Sequence, residues 1–142
     1  MQNYKTRLEF SEVIRGLRDG IEIHKGSIDC KIIICLNGDN DESEALDMIE
    51  ESKKHQDIIV AIGMATSQES LPVKKFERAF LLAKEYGFKT CSHFWDANCC
   101  SQIKQGLEQC QLDRIDHGMS VLDDLSLLQE CIKKRVPFTF CP

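Results

Sequence analysis

Apolar strand-like runs and helical patterns alternate along this sequence, which predicts an α/β protein whose parallel sheet is part of a (β/α)8 TIM barrel. Three observations carry that prediction. Short apolar runs at 32–36, 58–64, 88–93, 114–118 and 137–141 start roughly 23 to 30 residues apart, the length of a βα unit. Several are near-continuous Ile, Val, Phe and Cys rather than strictly alternating, as expected of parallel strands covered on their outer face. Gly63, His93 and His117 each fall toward the C-terminal end of a different run, the rim at which such barrels build their active sites. Neither a G-x-G-x-x-G turn nor a G-x-x-x-x-G-K-[ST] loop favours a doubly wound sheet instead.

The elements follow in chain order. Val13, Ile14 and Leu17 place an apolar stripe on a helix over 10–20 that feeds the first strand. A second helix over 41–54 aligns Ala45, Met48, Ile49 and Ser52. A third, over 74–86, puts Phe76, Phe80 and Ala83 on one side, with Gly87 as a left-handed C-cap. A fourth, over 97–109, carries Cys100, Ile103 and Leu107. The last, over 123–135, carries Leu127, Leu128, Cys131 and Ile132, and Pro137 follows its end. A barrel of this kind has eight strands and about 250 residues. Five strands cannot close one, so the expectation is a single partial domain over 1–142, with pieces missing at both ends and edge strands at 32–36 and 137–141 that invite self-association.

Composition narrows the function. A 42% apolar and 29% charged chain is that of a soluble globular protein, and the formal net charge of −5 opposes a nucleic-acid partner. No continuous apolar stretch is long enough to span a membrane, and no apolar run follows the N-terminus as in a signal peptide. The eight cysteines form no Cys-x-x-Cys pair, and many sit inside apolar runs, among them Cys35, Cys91 and Cys141. They read as reduced, buried thiols of a cytoplasmic protein.

Of the four histidines, His24 and His55 lie in polar surroundings near helix ends and read as surface residues. His93 and His117 end adjacent strands. By alternation His93 shares a face with Cys91, and His117 with Ile115. A single strand-end His is more often structural than a ligand. Two at one rim, each near a carboxylate, raise metal binding or acid–base chemistry to an equal alternative.

From about residue 60 onward the sequence resembles the adenine/adenosine deaminase family of metal-dependent barrel hydrolases. Arg114-Ile115-Asp116-His117-Gly118 matches that family's R-I-[DG]-H-G, its most specific motif here. Phe138-Thr139-Phe140-Cys141-Pro142 is similar to its L-T-x-C-P, and residues 75–80 and 83–88 to its helix and following strand. The five strands would then be strands three to seven of the barrel. The resemblance implies zinc as cofactor, with His93 as a metal ligand, a small purine-type substrate, and hydrolytic deamination in which zinc-bound water attacks the amino-bearing carbon. It further implies Asp96 as the acid that protonates the ring nitrogen, His117 as the group that stabilises the attacking hydroxide, and Gly63 and Asp116 as substrate contacts.

Departures from the family pattern bear on activity. The family's H-A-G-E is His93-Phe94-Trp95-Asp96 here, so the catalytic Glu becomes the shorter Asp96 and two bulky aromatics replace Ala-Gly. Ala65 and Gln68 stand where relatives tend to place acidic residues. The strand-one H-x-H and the strand-eight Asp of the zinc site do not occur in the chain, so by itself it is expected to be inactive. Two alternatives stand beside this reading: a degenerate remnant or interaction module, and another barrel amidohydrolase in which His93 and His117 both bind metal.

Overall fold

The computed structural model describes residues 8–65, 73–95 and 99–141. Five parallel strands form one sheet in chain order: β1 (Ile32–Asn37), β2 (Ile59–Ala65), β3 (Lys89–Phe94), β4 (Arg114–His117) and β5 (Phe138–Thr139). Among the described residues five α-helices alternate with them: α1 (Phe10–His24), α2 (Glu42–Lys53), α3 (Glu77–Glu85), α4 (Cys100–Glu108) and α5 (Leu125–Lys134). Strictly sequential strand order is the winding of a barrel wall. A doubly wound sheet would reverse direction at a switch point.

Strand alternation sorts side chains onto two faces. Ile34, Leu36, Ile62, Met64, Phe94 and Ile115 join one continuous core with helix residues such as Ile49, Phe80, Ala83, Ile103 and Leu127. The opposite face carries Cys35, Gly63, Cys91 and Arg114 side by side in register, with His93 beside Asp116 one layer higher. Helices cover the first face. The second is the concave wall.

Local chemistry sets where the helices begin and end. α1 runs past Gly20 to His24, beyond the expected end; Ile21 keeps the Ile14–Leu17 spacing and is half-buried. The expected helix over 74–86 opens with a tighter 3-10 turn, Val73–Phe76, and closes at Gly87 with φ +85°. The expected helix over 123–135 starts later, at Leu125. A 3-10 segment, Met119–Asp123, precedes it, and Asp124 restarts the helix by accepting the Ser126 and Leu127 N–H groups, each at 3.0 Å.

The last strand is shorter than its apolar run. Only Phe138 and Thr139 pair in register with β4; Pro137 adds its carbonyl, which accepts from the Ile115 N–H at 3.0 Å, but has no N–H to extend the ladder, while Phe140 stacks on Phe138 and stays exposed. Cys141 is therefore exposed, against the expectation of a buried thiol. Cys91, Cys99, Cys110 and Cys131 are buried, and none of the eight cysteines is in a disulfide. β1 and β5 lie at the two ends of the strand order. No helix among the described residues is long and apolar enough to cross a membrane.

Candidate active site

The rim above the concave wall is built by the last residues of β3 and β4. His93 is the penultimate residue of β3, on the same face as Cys91, and its side chain is 41% exposed. Alternation alone would turn His117 with Ile115 toward the helices. The structure corrects that assignment. His117 has φ +65°, a left-handed backbone that carries its imidazole to the other side, within 5.3 Å of the His93 ring centre. Gly118 repeats the left-handed turn with φ +65°, and a Cβ there would lie 2.6 Å from Ile115 Cγ2. Only glycine fits that position, and it lets the chain leave the strand sharply enough to aim His117.

Asp116 occupies the floor of this rim, with its side chain 7% exposed. Arg114, two residues earlier on the same face, grips it with a bidentate pair: Nε donates to Oδ1 at 2.8 Å and Nη2 to Oδ2 at 3.1 Å. Arg114 Nη2 also reaches Cys91 Sγ at 3.5 Å, and His93 Nε2 lies 3.7 Å from Asp116 Oδ2. Burial pushes the Asp116 carboxyl up. The hydrogen bonds from Arg114 and Thr139 and the nearby positive charge outweigh that, so its pKa falls below the ordinary aspartate value. Burial, reinforced by the Asp116 charge, raises the Cys91 thiol to about 11, which keeps it protonated and inert at neutral pH.

The expected site residues thus divide. His93, His117 and Asp116 converge. Gly63 lies lower, level with Cys91. A Cβ there would meet Cys91 Sγ at 3.1 Å, Cys35 Sγ at 3.2 Å and Ile33 Cγ2 at 3.3 Å, so this glycine is enclosed within the wall. Asp96, the expected acid, and Gln68 lie outside the described residues.

The two aromatics that replace the family's small pair point opposite ways. Phe94 is buried in the helix-covered core, where its ring sits against Gly106 of α4, so it does not crowd the rim. Trp95 stands at the rim, 78% exposed, edge-on to His117 at 5.1 Å and 82°. Arg114 was the residue sequence reasoning left without a role. An Arg and an Asp two apart on a strand share a face, and that spacing was the available signal.

A catalytic zinc needs about three protein ligands and an open position. Among the described residues, no three His, Cys, Asp or Glu side chains converge into such a group. The Asp116 oxygens are already engaged by Arg114, and His93 faces that same carboxylate. The described donors therefore do not amount to a zinc centre.

Sequential parallel winding with helices on one face is that of a wall segment of a (β/α)8 barrel, and the strand-end histidine pair stands on its rim. Comparison with known proteins makes the class specific. The Adenosine deaminase family profile matches residues 2–142, and the chain belongs to that family. It is 32% identical over 139 residues to the adenine deaminase of Vibrio parahaemolyticus, covering 95% of this chain and 41% of the relative. It is 30% identical over 137 residues to the adenine deaminase of Chlorobium luteolum, covering 95% and 40%. The adenine deaminase of Arthrobacter aurescens superposes with a TM-score of 0.77 at 26% identity, over 87% of this chain and 38% of that one. An amidohydrolase solved with bound Zn superposes at 0.78 over 90% of this chain and 35% of that one, but its 22% identity carries the fold alone. The chain spans about 40% of the length of the curated relatives it matches.

Proposed function

We propose that this chain supplies the middle of the barrel wall and the His93–His117 rim of an aminohydrolase acting on a small purine-type ring amine such as adenine. One observation carries the reading. Two histidines far apart in sequence meet at 5.3 Å on the C-terminal rim of adjacent parallel strands, through a left-handed backbone at His117. His117 orients the attacking water, takes a proton from it and passes that proton to the amino group, which leaves as ammonia; Asp96 protonates the ring nitrogen and recovers a proton from the new hydroxyl as the carbonyl forms. Arg114 keeps Asp116 ionised, and the pair holds His93 from below. Of the zinc ligands the family implies, His93 is the candidate this chain offers. The described donors do not form that centre, so neither step above is routed through a metal. The 142-residue chain by itself is then inactive and retains well under one zinc per molecule.

The test is ammonia release from adenine by the protein expressed with whatever coding sequence flanks this chain. Release that His117→Ala abolishes supports the reading. Release unchanged in that variant sinks the assignment of His117, and release unchanged in Asp96→Ala sinks that of Asp96.

One observation favours a second reading, that of a retired site kept as an interaction module. Arg114, Asp116 and His93 satisfy one another, and Trp95 leans on His117, an arrangement that needs no substrate. No ammonia release, together with flanking sequence that lacks an H-x-H, decides for it.

A further inference from the structure

The sequence marks Trp95 as an obstruction, a bulky ring where the family has glycine. Its placement says otherwise. The neighbouring Phe94 has gone into the core at 4% exposed, while Trp95, at 78%, contributes little to packing. A lone apolar residue on a surface is ordinary and calls for no explanation. This one is set apart by where it stands and how it is held. It follows directly on the strand that bears His93, and its only ring contact among the described residues is the near-perpendicular one to His117. The remaining indole surface is open beside the two imidazoles. A flat ring lying parallel to that indole stands at a similar steep angle to His117, so it meets the imidazole without face-to-face competition.

We propose that Trp95 is the stacking platform for the planar nitrogen heterocycle of the substrate, a purine base either free or within a nucleoside. This rests on the aminohydrolase reading of the same rim and names the element that recognises the ring. Stacking is indifferent to the substituent carried away from the ring, so Trp95 selects for the aromatic plane and leaves the free base and the nucleoside to be told apart elsewhere. Its role is in binding. The proton steps belong to other residues.

Trp95 is the chain's one tryptophan, so its fluorescence reports on this ring alone. The 142-residue chain is titrated with adenine, adenosine and ribose while tryptophan emission is followed. Adenine affinity is measured in parallel by calorimetry for the parent, Trp95→Phe and Trp95→Ala. Saturable quenching by adenine, none by ribose, and a loss of affinity of about 10-fold to 100-fold in Trp95→Ala with most of it kept in Trp95→Phe are expected. Equal quenching by adenosine assigns recognition to the base, and quenching by adenine alone restricts the platform to the free base. Quenching by adenine that never saturates overturns the proposal, whatever the variants do. So does an adenine affinity unchanged in Trp95→Ala. Ammonia release with unchanged affinity in Trp95→Ala removes the platform and leaves the aminohydrolase reading standing. Saturable quenching with no ammonia release from the flanked protein keeps the platform and counts against that reading.

Discussion

The two faces of the sheet differ in what each residue is asked to do, and the pair Phe94 and Trp95 shows it within a single peptide bond. Phe94 is buried among Ile103, Leu112 and the other helix-layer residues, whereas Trp95 is exposed at the concave rim. The covered face holds the fold by apolar burial. The concave face instead places charge and ring nitrogen, with Arg114, Asp116, His93 and His117 in contact. Substitutions on the first face should therefore unfold the chain, whereas truncating an exposed rim side chain such as Trp95 should leave stability nearly untouched.

The sharpest way to break that contrast is to truncate both aromatics separately. Phe94→Ala leaves a cavity against Gly106 and should cost about 3–5 kcal/mol in urea unfolding. Trp95→Ala should stay within about 0.5 kcal/mol of the parent in the same measurement. Equal losses would mean that the rim is part of the core after all.

A second contrast sets the two ends of β4 against each other. Asp116 belongs to the rim. Asp113, just before the strand, ties the opposite end together: Lys84 Nζ donates to both its oxygens at 2.9 Å, and the Thr90 N–H donates to Oδ2 at 2.9 Å. Burial raises the Asp113 carboxyl, but these hydrogen bonds and the Lys84 and Lys89 charges prevail and lower its pKa. A lowered folded-state pKa stabilises the fold above the unfolded value near pH 4. That contribution is lost as pH falls through the lowered value. Asp113→Ala should cost about 2 kcal/mol at neutral pH. It should also flatten the acid limb of a stability-against-pH curve, and a limb of unchanged steepness would show that other carboxylates carry it.

The smallest expected effects come from two helical glycines. Gly16 of α1 has nothing within 4 Å of an added Cβ, whereas at Gly106 of α4 that atom would lie 2.7 Å from Leu112 Cδ1. Gly16→Ala should stabilise by about 0.5–1 kcal/mol through helix propensity. Gly106→Ala should destabilise by about 1 kcal/mol, because overpacking against Leu112 and Phe94 exceeds the same propensity gain. Thermal melts that rank the two the other way would put the core against α4 in doubt.

Much of this was legible in the residues themselves. The spacing of apolar runs marked the five strands and five α-helices of the described residues though not the two 3-10 segments, Gly87 closed its helix as a left-handed cap, and Arg114-Ile115-Asp116-His117-Gly118 pointed to the family. These are local or periodic properties, and periodicity survives without any knowledge of neighbours. Tertiary structure decided the rest. Alternation assigns a side chain to a face only while the backbone stays extended, and His117 leaves that regime at φ +65°, so the face it presents could not be read from spacing. The depth of Gly63 depended on the register of β2 against Cys35 and Cys91, and the clamp on Asp116 on how Arg114 lies across the wall. Whether Phe94 or Trp95 would block the rim depended on which of the two had a helix behind it. A sequence states which groups are present and how often an apolar one recurs, but distances between strands exist only once the strands have packed.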